Sequence, residues 1–171
     1  MNLPESSQMI DLRQILEAPV LIEPDENARR ILAARFGLSQ ITAMRAEISL
    51  FREGEVVRAS GRLKADVVQF CSISGEGFPV RIDEGVMLRF VPRVADLVPD
   101  KEVEISAEEC DDIEYDGFVF DLGEAIAQSL ALAIDPFAEG PSAERFRQEH
   151  KLSGSGASGP FAALSALRTS E

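Results

Sequence analysis

The residues able to do covalent or acid–base chemistry are few. The 171-residue chain has one histidine, His150, and two cysteines, Cys71 and Cys110. His150 sits beside a Ser/Gly-rich stretch, a poor place for a rigid acid–base group, and reads as a solvated side chain. Cys71 ends a long alternating stretch with no recognisable base partner, so it reads as a partly buried thiol. Two cysteines are too few for a Cys-rich zinc site within one chain, and they make no disulfide framework. Reduced thiols are the expectation. Gly75-Glu76-Gly77 lacks the rest of any phosphate-binding loop. The acids between Asp100 and Asp121 are of the type that binds hard cations. Their spacing does not match a helix–loop–helix calcium site, so a solvated acidic loop is the expectation, with mimicry of nucleic acid toward a basic protein as a second reading. No catalytic residue, metal site or cofactor is therefore expected.

What remains is a surface. From Val57 to Cys71 apolar and polar residues alternate: Val57, Ala59, Leu63, Ala65 and Val67 on one face, Arg58, Ser60, Arg62, Lys64 and Asp66 on the other. A period of two specifies a half-buried strand, here with a basic wet face. Arg45 and Arg89 extend the set. The whole chain carries a formal net charge of -13, which argues against broad attraction to nucleic acid or anionic membranes. A local basic face has two readings. It is an ordinary solvated sheet face with partners such as Glu47 and Asp66, or it contacts RNA phosphates, where Arg and Lys fix register without reading sequence. With no Trp and one Tyr, extensive aromatic stacking is not expected.

The elements that must position this face follow from periodicity. Residues 1–24 read as a short strand-like or turn-rich lead containing Val20-Leu21-Ile22 and ended by Pro24. Asp25-Glu26-Asn27 opens a helix whose Ala28, Ile31, Leu32 and Phe36 share one side and which stops at Gly37. Met44, Ala46, Ile48 and Leu50 alternate toward a turn at Arg52-Glu53-Gly54-Glu55, and the stretch from Val57 returns. Gly61 inside that strand suggests a bulge or a bend. Phe78, Val80 and Ile82 begin a third strand, which Asp83-Glu84-Gly85 is expected to interrupt before Val86, Leu88 and Phe90. Short strands are expected at Val103–Ile105 and Phe118–Phe120. Asp121 and Glu124 have the spacing of a capping box, opening a helix lined by Leu122, Ile126, Leu130, Ala133 and Ile134. The fold class is α+β: a curved antiparallel sheet or partly closed barrel flanked by two main helices. Residues 1–140 are expected to form the core domain. Residues 141–171 are expected to form a flexible segment: a short helix from Ala143 to His150, a Ser/Gly linker, and a final short helix. Phe161, Leu164 and Leu167 of that last helix need something to pack on, either this domain or a partner. No signal peptide is read at the N-terminus. No window approaches the roughly 18 apolar residues of a membrane span. A cytoplasmic location is the expectation.

Four segments together resemble the YceD family, the large ribosomal RNA accumulation proteins, in their alphaproteobacterial form. They are Arg58 to Cys71; Phe118-Val119-Phe120-Asp121-Leu122-Gly123-Glu124; Leu130-Ala131-Leu132-Ala133-Ile134-Asp135-Pro136-Phe137; and Pro160-Phe161-Ala162-Ala163-Leu164-Ser165-Ala166-Leu167. The resemblance covers roughly residues 40–168. Many members carry a second cysteine three positions after the first, and some have a cysteine-rich segment before the C-terminal helix. Here Ser74 takes the first place and a Ser/Gly-rich stretch the second, so no metal is expected. The resemblance implies a non-enzymatic factor supporting large-subunit ribosomal RNA. Its partner would be precursor large-subunit ribosomal RNA or a ribosomal or assembly protein, with no membrane and no small-molecule substrate. Arg58, Arg62, Lys64, Arg45 and Arg89 are the RNA-contact candidates. Phe161, Leu164 and Leu167, or the acidic loop, would serve a protein-binding adaptor instead.

Overall fold

The structure is a computed structural model that describes residues 7–16, 18–93 and 112–150. In chain order the elements are β1 (Met9–Asp11), a 3-10 turn at Leu12–Gln14, β2 (Val20–Ile22), α1 (Glu26–Arg35), β3 (Gln40–Glu53) and β4 (Val56–Phe70). They continue as β5 (Gly77–Pro92), β6 (Asp112–Tyr115), β7 (Val119–Asp121), α2 (Leu122–Ala133) and α3 (Ala143–Glu149). The class is α+β, as expected, with the two main helices and the short helix expected from Ala143. The five-stranded sheet runs β2-β3-β4-β5-β6, and β1 pairs with β7 in a separate ribbon. The sheet is open rather than a closed barrel, with β2 and β6 at its ends. It is also mixed: β6 lies parallel to β5, with Arg89 facing Asp112 and Pro92 facing Tyr115. A parallel neighbour needs a long crossover, and residues 94–111 supply its length. The expected strand around Val103–Ile105, Cys110, most of the acidic loop, the Ser/Gly linker and the Phe161–Leu167 segment lie outside the described residues.

Alternation builds the two long strands. Met44, Ala46, Ile48 and Leu50 of β3 and Val57, Ala59, Leu63, Ala65 and Val67 of β4 are all buried. Gly54 turns the hairpin with φ +66°, a conformation that favours glycine. Two sequence expectations fail here. Asp83-Glu84-Gly85 does not interrupt the third strand, because β5 runs unbroken over Gly77–Pro92. The ladder irregularity falls between Ile41 and Ala43 and not at Gly61, which pairs in register with Ile48. Asp83 lies on the outer face, and Glu84, in the row of Ile82 and Val86, is itself exposed, so neither interrupts the strand. Gly61 answers instead to a close approach between the β3 and β4 backbones.

One apolar core joins the inner sheet face to both main helices. Leu32 of α1, Leu63 and Phe90 of the sheet, and Leu122, Ile126 and Leu130 of α2 all have no solvent exposure. Asp25 caps α1 by accepting from the Ala28 amide at 2.8 Å. Asp121 caps α2 by accepting from the Glu124 amide at 3.0 Å. The reciprocal half of the capping box is absent among the described residues. The Glu124 carboxylate instead accepts from both terminal nitrogens of Arg35, at 2.8 and 2.5 Å, and from Gln128. A charged fork in reach outcompetes a neutral amide.

The Arg35 guanidinium holds the Glu124 carboxyl below its usual range. A folded-state pKa lower than the unfolded one gives stability that is present above the unfolded value. That stability is lost as pH falls through the folded value. Glu124→Gln should therefore cost about 1 kcal/mol at neutral pH, the size of a half-exposed bidentate pair. The gap to wild type should close on acidification. Urea unfolding of both chains across pH 7 to 3 measures this, and a gap independent of pH would refute it.

By contact the chain divides into two compact units. The larger comprises residues up to Gln69 together with Pro79–Asp135, and the smaller comprises Phe70–Phe78 with the residues from Pro136 onward. The short helix expected from Ala143 belongs to the smaller unit.

Candidate nucleic-acid interface

The outer face of the sheet is built by residues that alternate with the core. The β3–β4 register sets Arg45 opposite Lys64, Glu47 opposite Arg62, Ser49 opposite Ser60 and Phe51 opposite Arg58. From β5, Arg81 and Asp83 reach the same face. Arg62 donates to Asp83 at 2.5 Å and Arg81 to Asp66 at 3.0 Å. The bond to Arg62 holds the Asp83 carboxyl below its usual range, and the charges of Arg62, Lys64 and Arg81 add to this. Arg58 pairs with Glu53 at 3.2 Å, near the hairpin turn. Arg89 pairs with Asp112 at 3.1 Å, where β5 meets β6.

The five basic candidates are therefore not equivalent. Arg58, Arg62 and Arg89 each have a carboxylate of their own. Arg45 and Lys64 form no ion pair among the described residues, although they face each other directly. Like charges directly opposite in an antiparallel pair are destabilising. No packing need explains this arrangement, since both side chains are exposed. Two shallow depressions flank the pair. One, of about 410 Å³, is lined by Arg45, Glu47, Ser49, Gly61, Arg62 and Lys64. The other, of about 540 Å³, adds Arg29 and Arg81 but also Glu23, Asp66 and Asp83. The first is the more cationic.

Sequence reading missed Arg81 and Asp83, whose alternation with Val80 and Ile82 was the available signal. It also missed Phe51, which is 64% exposed on the same outer row as Arg45 and Ser49. Phe161, Leu164 and Leu167 lie outside the described residues.

The smaller unit places Cys71 in a tight turn. The Ser74 amide donates to Cys71 Sγ at 3.4 Å, and Ser74 Oγ lies 2.9 Å from Ser142 Oγ. Hydrogen bonding from Ser74 lowers the Cys71 thiol to about 7, against the opposing effect of burial. Among the described residues no group of three or more His, Cys, Asp or Glu is placed to hold a metal ion. His150 stacks on Phe146, with ring centroids 4.0 Å apart, and is exposed.

No described helix is long and apolar enough to cross a membrane. No family model, no curated protein and no solved structure matches the chain.

Proposed function

We propose that this chain is a non-enzymatic ribosome-biogenesis factor of the YceD type, acting in the cytoplasm. It supports the synthesis, processing or stability of large-subunit ribosomal RNA by contacting precursor RNA directly. The reading is carried by the ordered set of four family-like segments between Arg58 and Leu167. It is supported by the outer sheet face, where two cations stand opposite each other with no carboxylate within ion-pair distance among the described residues. The net charge of -13 confines RNA contact to such a local surface, because exposed charges beyond the Debye length of about 8 Å are largely screened.

A second reading, a protein-binding adaptor, is favoured by one observation. Met87 and Leu132 are 84% and 89% exposed, and both line a shallow depression with Leu88 and Ile113. Isolated exposed apolar residues are common, but two on one depression suit a protein partner. Crosslinking and immunoprecipitation of the tagged full chain from growing cells separates the readings. Precursor large-subunit RNA recovered at discrete positions is the expected result. Recovery of proteins without that RNA would overturn the first reading in favour of the second.

A further inference from the structure

We propose that the outer face of β3 and β4 is a short track for single-stranded nucleic acid, with Arg45 and Lys64 gripping a phosphate and Phe51 stacking a base. The proposal deepens the ribosomal RNA reading and rests on it for the identity of the natural ligand.

The track begins at the like-charged pair. Arg45 and Lys64 are adjacent across the ladder, and neither forms an ion pair among the described residues. Asp83 is held by Arg62, Asp66 by Arg81, and Glu47 lies opposite Arg62. An anion bridging Arg45 and Lys64 would relieve their mutual repulsion, which no ion pair on this face does among the described residues. The depression beside them is lined by Ser49, a hydroxyl donor, and by Arg62, with Glu47 the one acid among its lining residues. A phosphate takes this combination of charge and hydroxyl donor.

Phe51 selects the partner. It follows Ser49 by two positions, so it lies on the same outer row, and it is the large exposed apolar side chain of that row. Six residues of strand separate Arg45 from Phe51, about 20 Å, the reach of a few nucleotides of extended single strand. An acidic peptide would use the cations and leave the ring idle. A duplex would present its phosphates and keep its bases away from the ring. Unstacked bases on a sheet face use both, as in the common sheet-based RNA modules.

The test uses the full chain and a fluorescent uridine oligonucleotide of about 10 nucleotides, read by anisotropy at several salt concentrations. Changing Arg45→Gln and Lys64→Gln together should weaken binding at least about ten-fold and reduce the salt slope by about 0.7, the value for the one single-strand phosphate they share. Phe51→Ala should weaken binding about ten-fold and leave the slope unchanged. Arg13→Gln with Arg93→Gln removes the same charge from residues paired with Asp11, Glu114 and Asp116, and should change affinity less than about two-fold. Equal losses in the two double variants would overturn the track, as would displacement of the oligonucleotide by a polyglutamate peptide as effective as unlabelled RNA. In cells the two proposals part. Large-subunit RNA recovered equally by wild type and by the Arg45→Gln, Lys64→Gln, Phe51→Ala chain would overturn the track and leave the biogenesis reading standing. No such RNA from wild type, with oligonucleotide binding and its variant pattern as expected, would overturn the biogenesis reading and leave the track.

Discussion

Phe90→Ala is expected to lower the unfolding free energy by about 3–5 kcal/mol, the range for aromatic truncation in a packed core. Phe90 has no solvent exposure. Its ring stacks on Phe120 with centroids 4.2 Å apart and planes 28° from parallel, and Tyr115 tilts against Phe120 at 6.2 Å. The three rings come from β5, β6 and β7, so one cluster ties the parallel end of the main sheet to the separate ribbon. Removing the Phe90 ring deletes the transfer term and leaves a cavity that neighbours on three strands cannot collapse to fill. Against a typical total of about 5–15 kcal/mol, the loss is a large fraction of the stability. Urea unfolding should show a lower midpoint with an unchanged slope. A Phe90→Leu, Phe120→Leu double-mutant cycle should return a coupling of about 0.5–1.5 kcal/mol. A Phe90→Ala cost under about 1 kcal/mol would mean that the cluster is not packed as described.

Gly61→Ala should be nearly as damaging, although it adds a single methyl group at an exposed position. A Cβ at Gly61 would overlap the Glu47 carbonyl oxygen and sit 2.9 Å from both the Glu47 carbonyl carbon and the Ile48 Cα. All three atoms are backbone, so no side chain can rotate away. Relief requires β3 to shift, and β3 also carries β2 and the contact with α1. Overpacking of this kind costs about 1–3 kcal/mol and occasionally more, and a clash against a central strand belongs at the upper end. The melting temperature should fall by about 6–12 °C, taking about 2–4 °C per kcal/mol for a chain of this size. Gly85→Ala is the control. It lies in β5, where an added methyl would meet no atom within 4 Å and φ is ordinary for any residue. It should be neutral or slightly stabilising, since alanine restricts the unfolded chain more than glycine does. Equal effects at the two glycines would show that backbone approach is not what glycine serves at position 61.

Much of this molecule was legible in local pattern. The α1 limits, its Asp25 cap, the β3–β4 hairpin, the turn at Gly54 and the start of α2 at Asp121 all follow from spacings of two, three and four residues. Each depends on interactions between near neighbours, which a sequence displays directly. The inward set of β3 and β4 was legible for the same reason: one face of an alternating strand must leave water.

Other features depend on residues far apart in the chain, and no local pattern encodes them. Glu124 was expected to close a capping box, yet Arg35, 89 positions earlier, takes its carboxylate. The parallel placement of β6 and the openness of the sheet came from pairing choices invisible to periodicity. The basic face shows the division most clearly. From sequence, Arg45, Arg58, Arg62, Lys64 and Arg89 were five similar candidates, because charge and exposure can be read from alternation. Which of them keeps its charge available depends on whether a carboxylate from another strand arrives within ion-pair distance. The register brings Asp83 to Arg62, Glu53 to Arg58 and Asp112 to Arg89, and it sets Arg45 against Lys64. The sequence by itself determined that one strand face would be wet and basic, since an alternating strand must turn one side to water. Only the tertiary structure decided where on that face positive charge remains, since charge neutralisation is a matter of distance in space.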